Sequence, residues 1–118
     1  KYYRVDFLKP EAMKAEIYKG NPIVIGMKID DAFTKYKSGV YDRPGGTTRG
    51  GHAMTIVGYD DNKQSPNGHV GAYKLINSWG TAWGEKGYGW VSYKAMAALN
   101  RDAWVLIERG PCLGWHLL

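Results

Sequence analysis

Apolar and polar residues alternate along residues 22–29, which predicts a β-strand. The side chains at every second position from Ile23 onward are apolar and share one face, whereas Lys28 lies on the other. Similar apolar, β-branched segments predict further strands at residues 52–59, 72–78, 88–93 and 103–108. The turn signal Pro66-Asn67-Gly68 separates the first two of these later segments and predicts a hairpin.

Helical signals are confined to short stretches. Pro10 suits the first position of a helix, and the segment 10–19 carries a helical apolar stripe. Shorter helices are predicted at residues 30–36 and 94–99. One short N-terminal helix followed by about five largely antiparallel strands predicts an α+β fold built on an open or closed β-barrel. We treat the whole chain, 1–118, as one domain because its length supports one sizeable core.

Composition and charge narrow the possible partners. Sixteen Lys and Arg against eleven Asp and Glu give a net charge of +5, but the basic residues are scattered singly. We therefore expect no nucleic-acid partner. No apolar run reaches about 18 residues, so we expect no membrane partner. Cys112 is the only cysteine, which excludes a disulfide within the chain and a four-cysteine zinc site. We expect neither a metal nor a cofactor.

Three segments carry a recognisable pattern of chemistry. Residues 50–59 read Gly-Gly-His-Ala-Met-Thr-Ile-Val-Gly-Tyr, residues 77–80 read Asn-Ser-Trp-Gly, and residues 83–88 read Trp-Gly-Glu-Lys-Gly-Tyr. Together they resemble the papain-like cysteine peptidases, and the likeness extends over about residues 8–93. The resemblance implies the fold of the C-terminal, right-hand lobe of such a peptidase, a mostly antiparallel β-barrel with a short N-terminal helix. It also implies a peptide or protein substrate.

The resemblance assigns roles to three residues: His52 as acid and base, Asn77 as its orienting partner, and Trp79 as a cover over their hydrogen bond. This chemistry needs an imidazole because a thiol, with an unperturbed pKa near 8.5, is mostly protonated at neutral pH. A neighbouring imidazolium stabilises the thiolate, and an amide on the other ring nitrogen fixes the ring. If residues 57–59 and 73–75 pair as antiparallel strands, the hairpin brings His52 beside Asn77.

Substrate contacts are also implied by the resemblance. Gly26 and Ala53 correspond to positions that line the family's pocket for the second residue before the cut. Small residues at these positions predict a roomy, apolar pocket. Gly51, directly before the histidine, leaves the preceding glycine-rich loop free to approach the substrate backbone.

The family's nucleophile has no counterpart in the sequence. No Gln-x(several)-Cys-Trp segment is present, and Cys112 follows both His52 and Asn77 in chain order, so it is expected to be an incidental thiol. We therefore expect a cysteine-bearing lobe, supplied in cis or in trans, or alternatively a non-catalytic binding or regulatory module that keeps the barrel. The compartment stays open, with the family resemblance slightly favouring a secreted or periplasmic protein. His69 and His116 are expected to be structural, since neither has a partner at metal-ligand spacing.

Overall fold

The structure, a computed structural model, describes residues 2–42 and 45–106. Within these residues there are three helices: α1 at Pro10–Tyr18, α2 at Asp31–Thr34 and α3 at Tyr93–Leu99. Seven strands accompany them: β1 Tyr2–Arg4, β2 Ile23–Asp30, β3 Val40–Tyr41, β4 Thr48–Gln64, β5 Val70–Ile76, β6 Tyr88–Ser92 and β7 Asn100–Leu106. This content of strands and short helices confirms the predicted α+β class.

All seven strands belong to one sheet with the order β1-β7-β2-β4-β5-β6-β3. Every pairing is antiparallel except that of β3 with β6, which is parallel. The short strands β1 and β3 form the two ends of this order, so the sheet is open in its hydrogen bonding. The central pairs β2–β4 and β4–β5 place the longest strand, β4, in the middle of the sheet.

The alternation along β2 directs one row of side chains into the core. Ile23, Ile25 and Met27 are almost fully buried, whereas Lys28 is exposed, as the sequence pattern predicts. Met13 of α1 and Met96 of α3 are also fully buried and belong to the same apolar cluster. Each side chain of this size contributes about 1.5–3 kcal/mol when removed from water, so this cluster fixes which face of the sheet the helices cover.

Most predicted elements are confirmed, with differences at their ends. The helix predicted at 10–19 has Pro10 in its first turn, and Asp30 caps α2 by accepting a hydrogen bond from the Phe33 N–H at 2.9 Å. The strand predicted at 52–59 runs from Thr48 to Gln64. The edge strands β1 and β3 were not predicted. Among the described residues, no helix is long and apolar enough to span a membrane.

Candidate active site

His52 lies in β4, and Asn77 directly follows the end of β5 at Ile76. The two strands are antiparallel neighbours with Thr55 opposite Ile76, so both residues come to the same end of the sheet. His52 Nε2 lies 2.8 Å from Asn77 Oδ1, which is a hydrogen-bond distance. The predicted proximity is therefore confirmed, although His52 lies inside its strand and not at its start, because β4 already begins at Thr48.

The Asn77 amide is held in one orientation by its neighbour. Its Oδ1 also accepts a hydrogen bond from the Ser78 backbone N–H at 2.7 Å, which identifies this atom as the oxygen. An amide oxygen can only accept, so the hydrogen on His52 must be on Nε2 when the ring is neutral. Nδ1 is then the basic nitrogen of the ring. The arrangement therefore prepares His52 to take up or release a proton at Nδ1.

Trp79 covers one face of the His52 ring. The two ring centroids are 4.7 Å apart and the planes are inclined by 25°, which is a stacked arrangement. The indole also meets Phe33 and Trp83 edge-on, at centroid distances of 6.0 and 5.8 Å. It nevertheless stays 39% exposed. An aromatic cover lowers the local dielectric, and this strengthens the His52–Asn77 hydrogen bond against competition from water.

The three residues implied in substrate binding lie on adjoining strands. Gly26 of β2 is directly opposite Ala53 of β4, and Gly51 lies two residues before Ala53. The space beside Gly26 is not apolar, however. Its backbone N–H donates to Asp102 Oδ1 at 3.0 Å, and a Cβ added at Gly26 would lie only 2.7 Å from the same oxygen. The prediction of an apolar pocket is therefore wrong at this position, because Asp102 of β7 places a carboxylate there.

A cavity of about 420 Å³ adjoins this carboxylate and is lined by residues 4–7 and 101–103. Arg101 belongs to this lining and also approaches the position beside Gly51, where an added Cβ would lie 3.9 Å from its Nη1. Both charges come from β7, which is far from His52 in the chain. Neither residue could be predicted from its sequence neighbours, because the pairing of β2 with β7 brings them to this place.

Other candidate residues do not join the site. Within residues 2–42 and 45–106, no group of three or more His, Cys, Asp or Glu side chains is arranged to hold a metal ion. His69 lies beyond the far end of β4, next to Asp42. Cys112 and His116 lie outside the described residues, so what the sequence predicts for them stays a prediction.

Comparison with known proteins points to one family. The family profile of the papain family cysteine proteases matches residues 1–106. Cathepsin B-like cysteine proteinase 3 of Ostertagia ostertagi is 37% identical over 91 residues, which are 76% of this chain and 47% of that relative. The gut-specific cysteine proteinase of Caenorhabditis elegans is 41% identical over 78 residues, which are 65% of this chain and 22% of the relative.

Solved structures share the fold. The bromelain protease of Ananas comosus, in an inhibitor complex, superposes with a TM-score of 0.69 and 32% identity, covering 91% of this chain and 50% of that one. Xylellain, a cysteine protease of Xylella fastidiosa, gives a TM-score of 0.70 and 32% identity, covering 89% and 38%. These similarities confirm the predicted papain-like right-hand lobe. The chain spans about half the length of the relatives it matches, or less.

Proposed function

The chain belongs to the papain family of cysteine proteases, and from this premise we propose that it supplies the His/Asn half of a peptidase active site, with the thiol supplied from outside these 118 residues. The observation that carries the proposal is the 2.8 Å contact between His52 and Asn77 beneath the Trp79 indole. In this reading His52 is the acid and base, Asn77 orients it, and Trp79 shields their hydrogen bond.

The proposed reaction uses His52 Nδ1 in both steps. Nδ1 takes the proton of the thiol, and the thiolate attacks the substrate carbonyl carbon. His52 then gives this proton to the leaving amine as the C–N bond breaks, which leaves a thioester. In the second step His52 takes a proton from water, whose oxygen attacks the thioester, and the proton returns to the departing sulfur. Throughout, the imidazolium is stabilised by the oriented Asn77 carbonyl oxygen.

The partner that fits this site is a cysteine-bearing lobe of the same family, in cis or in trans. Three large apolar side chains at the Asn77 end of β5 are exposed by more than a third: Ile76, Trp79 and Tyr88. Ile76 and Tyr88 are opposite each other on β5 and β6, and Trp79 follows β5. Exposed apolar surface next to an active-site histidine supports a second packed body at this face. A lobe placed there brings its thiol to the open side of His52.

The substrate in this proposal is a peptide or protein chain. Gly51 and Ala53 carry little or no side chain and leave room for substrate backbone beside His52, whereas the space at Gly26 is filled by Asp102. Asp102 supplies a carboxylate at the Gly26 end of this surface. Arg101 approaches the Gly51 end, so the surface offers one charge of each sign to polar groups of the substrate.

Reconstitution tests the proposal. The 118-residue chain is combined with a cysteine-bearing lobe of the family, fused ahead of Lys1 or added as a separate chain, and hydrolysis of a fluorogenic peptide is measured. We expect no hydrolysis by the chain alone and clear hydrolysis by the combination. His52→Ala in the combination is expected to lower kcat by about 10²–10⁴-fold, since it removes the acid and base.

A second histidine provides the matched control. His69→Ala changes the same residue type next to Asp42, away from the site, and is expected to leave kcat unchanged. Full activity of the His52→Ala combination would contradict the proposal. Binding of the lobe without hydrolysis, in a combination that contains the thiol, would favour the alternative of a non-catalytic binding or regulatory module.

A further inference from the structure

Asp30 is a buried carboxylate at the end of β2 that joins three segments of the chain. Its side chain is 6% exposed. Oδ1 accepts from the Phe33 N–H at 2.9 Å, while Oδ2 accepts from the Tyr41 hydroxyl and the Gly45 N–H, both at 2.8 Å. Burial, and then the hydrogen bond to this carboxylate, raise the pKa of Tyr41 well above its usual range. Asp30 thus fixes the first turn of α2 and the chain on both sides of residues 43–44.

The turn that Asp30 caps places Phe33 against the aromatic cover of the site. Phe33 is fully buried, and its ring meets the Trp79 ring at 6.0 Å and the Trp83 ring at 5.1 Å. Its backbone oxygen accepts a hydrogen bond from Trp83 Nε1 at 3.0 Å. Trp79 in turn stacks on His52. A continuous series of packed rings therefore connects the Asp30 cap to the imidazole.

The neighbouring carboxylate holds the chain that enters β4. Asp31 accepts from the Thr47 N–H at 2.9 Å and from Arg49 Nε at 2.6 Å. These two hydrogen bonds, that of Thr47 first, lower the pKa of Asp31 below its usual value. Gly46, with φ at +82°, passes so close that an added Cβ would lie 2.6 Å from Asp31 Cβ. The loop before His52 is thus tied to the same turn of α2.

We propose that Asp30 is a positioning residue for His52, acting through the α2 turn, Phe33 and Trp79 to hold the imidazole against Asn77. The inference rests on the proposed role of His52 as acid and base. Asp30 itself does not contact the ring. Its carboxylate fixes where Phe33 packs, Phe33 fixes the tilt of the Trp79 indole, and the indole sets the plane of the imidazole.

The test reads the geometry of His52 directly, by NMR of the 118-residue chain with labelled histidines. Stacking under Trp79 displaces the carbon-bound ring protons of His52 by the indole ring current, and the ring nitrogen shifts report the Nε2–H form. In Asp30→Ala we expect both signals to move toward the values of a free histidine. Asp30→Asn keeps an oxygen that can accept from the Phe33 N–H, so we expect it to restore part of both shifts.

Asp42→Ala is the matched control, because it also removes a buried carboxylate that accepts several hydrogen bonds, but away from His52. We expect it to lower stability and to leave the His52 signals in place. Unchanged His52 signals in Asp30→Ala would overturn the proposal, and so would equal displacement in Asp42→Ala. If Asp30→Ala does not fold, Phe33→Leu replaces it. That variant keeps the cap, and unchanged His52 signals in it would equally overturn the proposal.

The measurement needs neither a thiol nor a substrate. If the reconstituted combination does not hydrolyse peptide, the NMR result can still be interpreted. If the His52 signals do not move in Asp30→Ala, the proposal for Asp30 is wrong, but the proposed role of His52 is unaffected. With an active combination, the same variants give a second readout. Asp30→Ala is expected to lower kcat by about 10–100-fold with KM little changed, as misplacement of a reacting group does.

Discussion

The two ends of the β4–β5 hairpin use polar side chains in opposite ways. The tip of the hairpin, between β4 and β5, packs against Asp42, which directly follows β3 in the chain. The side chain of Asp42 is 2% exposed and accepts hydrogen bonds from four side chains. We call this group the Asp42 clasp, and its donors are Ser65 at 2.8 Å, Asn67 at 3.0 Å, His69 at 2.7 Å and Ser92. Burial alone would raise the pKa of Asp42, but these hydrogen bonds outweigh it and lower the pKa to about 2.

At the other end, the polar groups are only partly used. Within the described residues Asn77 Nδ2 is buried without a hydrogen-bond partner, and the contact with Asn77 uses only one nitrogen of His52. Trp79, which covers the ring, is more than a third exposed. A saturated carboxylate stabilises the fold, whereas polar groups held in place with bonding capacity left over can act on another molecule. The difference separates the structural histidine, His69, from the proposed catalytic one.

The largest effect is expected when the clasp loses its acceptor. Asp42→Ala leaves four donors without their partner and is expected to lower the free energy of unfolding by about 3 kcal/mol, measured by urea denaturation. Asp61→Ala is the contrasting variant, since Asp61 binds Lys14 and Tyr93 at an exposed position and should destabilise the fold far less than Asp42→Ala does. Equal destabilisation by the two variants would contradict the saturated character of the clasp.

Asn77→Ala tests the opposite end. In the combination with a cysteine-bearing lobe we expect kcat to fall by about 10–100-fold, because the imidazole loses the acceptor that orients it. The free energy of unfolding should change by less than about 1 kcal/mol, because the substitution also removes the unpartnered Nδ2. If Asn77→Ala strongly lowered the free energy of unfolding but left kcat unchanged, Asn77 would have a structural role, and the contrast between the two ends would be wrong.

Acid titration sharpens the comparison further. The pKa of Asp42 is about 2 in the fold, below its ordinary value of 3.8, so its charged form is the one that stabilises the fold. That contribution is fully present above about pH 5 and declines as the pH falls through 3.8 toward 2. The difference in unfolding free energy between wild type and Asp42→Asn should therefore shrink below about pH 4. A difference that grows in acid would contradict the assignment.

The smallest effect is expected between the two ends, on the exposed face of the sheet. Lys74 Nζ lies 4.8 Å from the centroid of the Tyr88 ring and 6.0 Å from that of Trp90. Lys74→Ala is expected to lower the free energy of unfolding by about 0.5–1 kcal/mol, measured by urea denaturation. If Lys74→Ala lowered the free energy of unfolding by more than about 2 kcal/mol, the exposed face of the sheet would contribute stability that we assign to the Asp42 clasp.

Local patterns in the sequence predicted most of the elements, and the family resemblance together with the pairing of two strands predicted that His52 lies beside Asn77. The alternation in β2 and Pro10 at the start of α1 depend only on near neighbours, and the hairpin argument needs only the pairing of two adjacent strands. The strand β1 escaped prediction because three residues at a sheet edge are too few to show a period. The parallel strand β3 has only two residues.

Contacts between distant parts of the chain were not predictable in the same way. Asp102 lies 76 residues after Gly26 in the sequence but accepts a hydrogen bond from its backbone N–H. The Asp102 carboxylate therefore lies where small residues had predicted an apolar lining. In the Asp42 clasp, Asp42 binds His69, which follows it by 27 residues in the sequence. From the sequence we could say only that His69 has no partner at metal-ligand spacing. Small residues in a sequence indicate available space, but the fold decides which side chain fills it.

The Trp79 indole has a geometric consequence for any reactant that comes to His52. Its ring is stacked over one side of the imidazole at an inclination of 25°, and the amide of Asn77 occupies the Nε2 edge. The Nδ1 edge is therefore the direction from which an incoming sulfur atom can meet the ring in line with its lone pair. In the proposed reaction the chain thus sets the direction of proton transfer before the thiol arrives, so the proposed cysteine-bearing lobe has to match an angle as well as a surface.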